Sequence, residues 1–300
     1  MITGYGINCE REMQHAYELA GAETKIVHLK DILLGKLNIH DYHIINFPGG
    51  FSFGDDLGAG KGLAQRIKHA KIQNGKSMTV NNENVKDQTV KDQNEKDQVV
   101  KLIDELQKFI KDEKYIFGVC NGFQVMLKLG LVPALNDNYT KQSVSLWLND
   151  SGRFEDRWVN LKVPETMQKT SPFLRGIEKI YLPIRHGEGK IIYDIDSKTE
   201  SQIKKHIAAQ YCDETGKITS EYPLNPNNSF DSIAALSDST GRVLGMMPHP
   251  EAHIYFYHNP QWTRIKKNNQ SPYGEGLKIF KNIVKHNAEF ILSCGSLAKP

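Results

Sequence analysis

Tyr115-Ile-Phe-Gly-Val-Cys120-Asn-Gly-Phe-Gln124 reads as a short apolar strand that turns abruptly into a helix, with a cysteine at the bend. In the pattern Gly118-x-Cys120-x-Gly122 the glycines allow close backbone approach, so the central side chain can stand on a strained turn with its tip presented, as in a nucleophile elbow. The helix is marked by Phe123, Val125, Met126, Leu127 and Leu129, and Gly130 with Pro133 stops it. A thiol at that position is a better nucleophile as thiolate, which a helix N-terminus favours. Taken alone, the stretch also fits an ordinary buried cysteine between a strand and a helix.

A second stretch shifts the balance. Val243-Leu-Gly-Met-Met-Pro-His249-Pro-Glu251 is another short apolar run, ending in a histidine with a carboxylate two residues on. A general base for a thiol is a histidine that the fold, not the sequence, brings close, and its far ring nitrogen needs an acceptor to fix the tautomer; Glu251 is placed to be that acceptor. A third strand candidate, His43 to Phe47, runs into Pro48-Gly-Gly-Phe-Ser-Phe-Gly54. This is either a plain tight turn or a loop whose bare N–H groups stabilise an oxyanion. With the segments Ile2 to Tyr5, Glu10 to Ala20 and Thr24 to Leu29 forming a β-α-β unit, the prediction is an open α/β sheet whose strand carboxyl ends gather the three loops on one edge.

The bulk properties fit one large or two modest soluble domains. The 300 residues are 39% hydrophobic and 24% charged, enough for a substantial core. Thirty-eight basic against 35 acidic residues is too even a balance to make nucleic acid or a membrane surface the main partner. Cys9, Cys120, Cys212 and Cys294 show neither paired nor metal-ligand spacing. The first residues lack a basic start and an apolar leader core, and no apolar run nears the ~20 residues that span a bilayer; the expectation is a reduced cytoplasmic protein.

Between Lys71 and Gln98 the composition turns to Lys, Asp, Gln and Asn with a five-residue Lys-Asp-Gln repeat, which predicts a surface insertion rather than core. Val99 to Ile110 then predicts an amphipathic helix. After Pro133 strands are expected at Val144 to Leu148, Trp158 to Val163, Ile180 to Pro183, Ile207 to Tyr211 and Ile233 to Leu236, followed by a closing helix from Gly274 to His286 and a loose tail over 293–300. Two polar clusters interrupt this half. Asn149-Asp-Ser-Gly-Arg-Phe154 is either a turn or a holder for a small polar substrate. Arg185-His-Gly-Glu-Gly189 carries a His-x-Glu, but no second ligand pair with zinc spacing supports a metal, and none is assigned.

Six stretches together carry a resemblance over nearly the whole chain: Gly6-Ile-Asn-Cys9-Glu, Pro48 to Asp55, Gly118 to Gln124, Asn149 to Glu155, His186-Gly-Glu-Gly189 and Gly245 to Glu251. The sequence resembles the class I (triad) glutamine amidotransferases, in particular the glutaminase subunit or domain of phosphoribosylformylglycinamidine synthase. That resemblance implies an open mixed, mainly parallel sheet of flavodoxin-like type flanked by helices, in a single domain over 1–300. It implies Cys120 as nucleophile, His249 as base and Glu251 as its orienting partner, with backbone N–H groups of Gly50 and Asn121 as oxyanion hole. Gln124 and the Ser151-Gly152-Arg153 loop are implied to hold the amino-acid end of L-glutamine. No Walker-type phosphate loop occurs, so no cofactor is expected on this chain. ATP and magnesium belong by resemblance to a large synthase subunit, with a small accessory subunit as further partner. The short first strand, the 71–98 insertion and Asp156 depart from the family pattern without touching the triad. Two rival readings are another cysteine-elbow α/β protein, against which the His-Pro-Glu run argues, and a catalytically silent scaffold for the synthase.

Overall fold

A computed structural model describes residues 1–73, 100–266 and 271–296. Its centre is a seven-stranded sheet in the spatial order β3 (Ile44–Phe47), β4 (Tyr115–Val119), β11 (Val243–Met246), β10 (Ile233–Ser237), β9 (Ile207–Cys212), β6 (Glu155–Lys162) and β7 (Lys179–His186). A short parallel pair, β1 (Ile2–Thr3) with β2 (Val27–His28), lies beside β3. An antiparallel pair joins β5 (Ser145–Leu148) to β8 (Glu188–Ile192).

The sheet is open and mixed as expected, and its parallel character is local. β3, β4 and β11 run parallel, whereas β11, β10, β9, β6 and β7 pair antiparallel. The parallel strands read as continuous apolar runs because both their faces are covered. Phe117 of β4 packs on Phe173 and Phe280 on one face. On the other face Gly118 lies against Met126.

Helices complete the two outer layers. α1 (Glu10–Leu19) packs with α9 (Leu277–Ser296) through Tyr17 and Phe280, edge to face at 4.9 Å. Over the opposite face α5 (Asn121–Leu129) is covered by α3 (Lys61–His69), which also meets α4 (Leu102–Lys111). α4 buries Leu102, Ile103, Leu106, Phe109 and Ile110, spaced for one helical face; each such side chain contributes about 1.5–3 kcal/mol on burial. The remaining helices are short: α2 (Leu29–Leu33), α6 (Glu165–Thr170), α7 (Ser197–Lys204) and α8 (Trp262–Ile265).

Most of the expected 71–98 insertion lies outside the described residues. Its base is described: Lys71 bridges Lys101, and Ile72 N–H donates to Val100 O at 2.9 Å. The closing helix differs from expectation, running on to Ser296 and so taking in the first residues of the expected tail; Phe290, Ile291 and Leu292 on this extension are exposed. The last four residues are outside the described set. Among the described residues no helix is long and apolar enough to cross a membrane.

Candidate active site

The site forms where the parallel strands end. Cys120 follows β4 and takes φ 50°, ψ −109°, left-handed backbone in a residue that carries a Cβ. Its N–H donates to Met246 O at 2.8 Å, tying the bend to the neighbouring strand. Three glycines let α5 seat this deeply. A Cβ on Gly122 would stand 1.8 Å from Phe47 O, and one on Gly245 would stand 2.1 Å from the Phe123 ring. Gly245 is in register with Gly118, so the two make a flat patch under the helix. Cys120 is 6% exposed, and its thiol donates to Arg185 O across 3.5 Å.

His249 leaves the end of β11 with its N–H bonded to Pro183 O. Its Nδ1 meets Glu251 Oε1 at 2.5 Å, and both side chains are buried. The carboxylate therefore fixes the tautomer and leaves Nε2 for the reaction. Nε2 makes no hydrogen bond to another protein group. Burial works against a charge on His249, but Glu251 foremost, then Cys120 and Cys9, raise its proton affinity well above the ordinary imidazole range. The three triad residues predicted from sequence are thus brought together.

The oxyanion candidates flank the thiol. The Ile7–Gly50 bridge uses the N–H groups of Asn8 and Phe51, and neither bond involves Gly50 N–H. Gly50 must be glycine there, since a Cβ would stand 2.6 Å from Gly6 O. Asn121 is the first residue of α5, so its N–H has no partner within the helix. The Asn121 side chain holds the two donors in relation: it accepts from Ser52 N at 3.2 Å and donates to Asp55 at 3.1 Å and to Gln124 at 2.9 Å. Burial, with Glu188 nearby, holds the Asp55 carboxyl above its usual range.

Gln124 is buried, and its amide spans from Asn121 to Glu188 O, 2.7 Å away. One N–H and one lone pair remain for a ligand. Ser151, Gly152 and Arg153 are exposed in the turn between β5 and β6, with Gly152 at φ 63°. Asn149 tethers that turn to the site, donating to Arg153 O and His186 O and accepting from His186 Nδ1 and Gly189 N. Nδ1 carries the proton in that bond, and burial foremost, then His249, lower His186 to about 3 and so hold it neutral. Motif reading had left Asn149 and His186 between a turn and a ligand site; here they are the girders between loops.

Sequence reasoning missed Cys9 as a neighbour of the triad. It caps the start of α1, and its Sγ lies within 4.8 Å of ligand-capable atoms of His249 and Glu251. Only the 240-residue separation in sequence hid it. Arg185 was read as part of a loop cluster, yet its guanidinium comes within 3.4 Å of His249 Nδ1.

Residues 1–287 match the CobB/CobQ-like glutamine amidotransferase domain. The phosphoribosylformylglycinamidine synthase subunit PurQ of Methanococcus maripaludis strain C5 is 40% identical over 294 residues, covering 95% of this chain and 97% of that one. The subunit of the same name from Dehalococcoides mccartyi is 35% identical over 281 residues, covering 93% of each. Among solved structures, PurLQS from Thermotoga maritima matches with a TM-score of 0.62 at 26% identity, over 95% of this chain and 96% of that one. A cysteine elbow facing a His–Glu pair, together with these matches over nearly the full length of the chain, places it in the CobB/CobQ-like glutamine amidotransferase family, among the glutaminase subunits of phosphoribosylformylglycinamidine synthase.

Proposed function

We propose that this chain hydrolyses L-glutamine to glutamate and ammonia and supplies the ammonia to an ATP-dependent synthase subunit, which converts formylglycinamide ribonucleotide to formylglycinamidine ribonucleotide in purine biosynthesis. The observation that carries the reading is the His249–Glu251 pair at 2.5 Å beside a cysteine fixed in left-handed backbone at a helix start. Cys120 gives its proton to His249 Nε2 and attacks the side-chain amide carbon. The oxyanion is held by the N–H groups of Gly50 and Asn121; losing one such donor costs ~10²–10³-fold in rate. His249 then protonates the departing ammonia and activates the water that hydrolyses the γ-glutamyl thioester. Gln124 and the Ser151-Gly152-Arg153 turn hold the amino-acid end. In this reading ATP and magnesium are used by the synthase subunit, and the chain works in the cytoplasm. The test is labelling by a glutamine-analogue diazoketone, which needs nucleophile, base and pocket together: a covalent adduct at Cys120 that excess glutamine prevents is expected. Labelling elsewhere, or none while glutamine is still hydrolysed, would overturn the assignment.

A further inference from the structure

Asp55 lies outside the triad but is bonded to the residue that supplies one oxyanion donor. Its Oδ1 accepts from the Asn121 side-chain amide at 3.1 Å. The other N–H of that amide goes to Gln124 Oε1 at 2.9 Å, and its oxygen accepts from Ser52 N at 3.2 Å. Asn121 is fully buried, so both side-chain N–H groups and the side-chain carbonyl find their partners inside the protein. Gln124 in turn donates to Glu188 O at 2.7 Å, and the Glu188 carboxylate accepts from Ala59 N at 3.1 Å. These bonds close a ring that runs from Asp55 through Asn121, Gln124 and Glu188 to Ala59, and back along the chain to Asp55. We propose that Asp55 is a positioning residue for glutamine hydrolysis, holding the Asn121 amide so that the oxyanion donors of Gly50 and Asn121 keep their places beside Cys120.

One side chain ties the two donors together. Ser52 lies just beyond Gly50, and Asn121 heads α5, so the amide that grips Ser52 belongs to the residue whose own N–H faces the oxyanion. The loop that carries Asp55 is pressed onto the same helix: a Cβ on Gly60 would stand 2.8 Å from Val125 N. Without the Asp55 carboxyl, one buried N–H of Asn121 loses its acceptor, and the amide turns to another, loosening its hold on Ser52 or Gln124. Gln124 keeps its bond to Glu188 O, so the hold on ground-state glutamine changes little. The loss falls on the transition state, where alone the oxyanion exists, and therefore on kcat rather than KM.

This role rests on the glutaminase reading, and the test is steady-state glutamine hydrolysis by the full chain with its synthase partner. Asp55→Gly removes the acceptor from backbone at φ 55°, which glycine adopts freely. Asn121→Ala removes the same bond from the helix side, where alanine is well tolerated, and guards against misfolding at Asp55. Each should lower kcat ~10²-fold with KM within about threefold of wild type. The double variant should be no slower than the slower single one, within about threefold, since both changes break one connection. Asp55→Asn, which still offers Oδ1 to Asn121, should recover kcat to within about fivefold of wild type. A kcat near wild type in either single variant, losses that multiply in the double variant, or an Asp55→Asn no faster than Asp55→Gly overturns the role of Asp55 and leaves the glutaminase standing. Absence of hydrolysis in the wild type overturns the glutaminase reading and this role with it.

Discussion

Cys120 stands in backbone that costs about 1–3 kcal/mol in a residue other than glycine, and the surrounding structure holds it there through Met246 O and the start of α5. Cys120→Ser changes one atom of this arrangement, so glutamine hydrolysis should vanish while melting temperature and ammonia-dependent synthesis with the partner persist; glutaminase activity near wild type would remove Cys120 from the chemistry. Glu251→Gln keeps an acceptor for Nδ1 and loses the charge that steadies an imidazolium. A kcat loss of ~10²–10⁴-fold is expected, smaller than that of His249→Ala, and equal rates for Glu251→Gln and wild type would take Glu251 out of the triad. His186 carries a pH signature. Its folded value of about 3 lies below the unfolded value, so between these limits only the unfolded chain binds the proton and stability falls as pH drops. At pH 5 that amounts to about 2 kcal/mol. Between pH 7 and pH 5 the stability of His186→Gln should therefore decline less than that of wild type by this amount; parallel declines would show that the residue is not neutral in the fold. The triad was legible in sequence because each member sits in a short run with its own chemical logic. Cys9 and the Asn121 side chain were not, because their roles are contacts between segments that only the fold assembles.

At the scale of elements, the seating of α5 on the sheet decides where the thiol and the Asn121 N–H point. Gly122 and Gly118 both belong to that contact but should not respond alike. A Cβ on Gly122 meets the Phe47 carbonyl at 1.8 Å, which is backbone and cannot step aside; one on Gly118 meets Met126 Sδ at 2.2 Å, within a flexible side chain. Gly122→Ala should therefore cost about 1–3 kcal/mol through overpacking and lower kcat ~10²-fold by tilting the oxyanion donor, with Gly118→Ala the milder of the two on both measures. Denaturant unfolding and steady-state kinetics decide it, and the reverse order would mean that the helix does not set the donor. The same physics governs what sequence reading could see. β3, β4, β9 and β10 announced themselves as apolar runs, and α4 by its spacing. β8 was hidden, because it starts at Glu188-Gly-Lys, where glycine and charge speak for a loop, and it gains its place by pairing with β5. α3 was passed over although Leu63, Ala64 and Ile67 are one buried face; nine residues give too short a window next to a strongly polar stretch.

The whole molecule presents a complete triad whose nucleophile is only 6% exposed, so access to it depends on the loops around it. The loops that would move are Pro48 to Gly54, Asn149 to Phe154 and His186 to Gly189. They are glycine-rich, and they are coupled to the thiol and to one another through Asn121 and Asn149. Their outer side is apolar: Phe51 and Phe154 are 47% and 52% exposed, with ring centroids 6.2 Å apart. Exposed aromatics on the lips of a buried site suit a docking surface, and ammonia released without an acceptor is lost, so control of this site belongs with the synthase subunit. The expectation is that the isolated chain hydrolyses glutamine slowly and that the synthase subunit with its nucleotide ligands raises kcat ~10²-fold or more, an effect that a shift of about 1 Å in one donor can produce. Phe154→Asp, which places a charge on the lip and leaves the triad untouched, should abolish this activation at partner concentrations that saturate the wild type, with the slow basal rate unchanged. If the isolated chain is already fully active, or if Phe154→Asp is activated like the wild type, then the lips of the pocket do not carry the coupling and the loops are set by the chain alone.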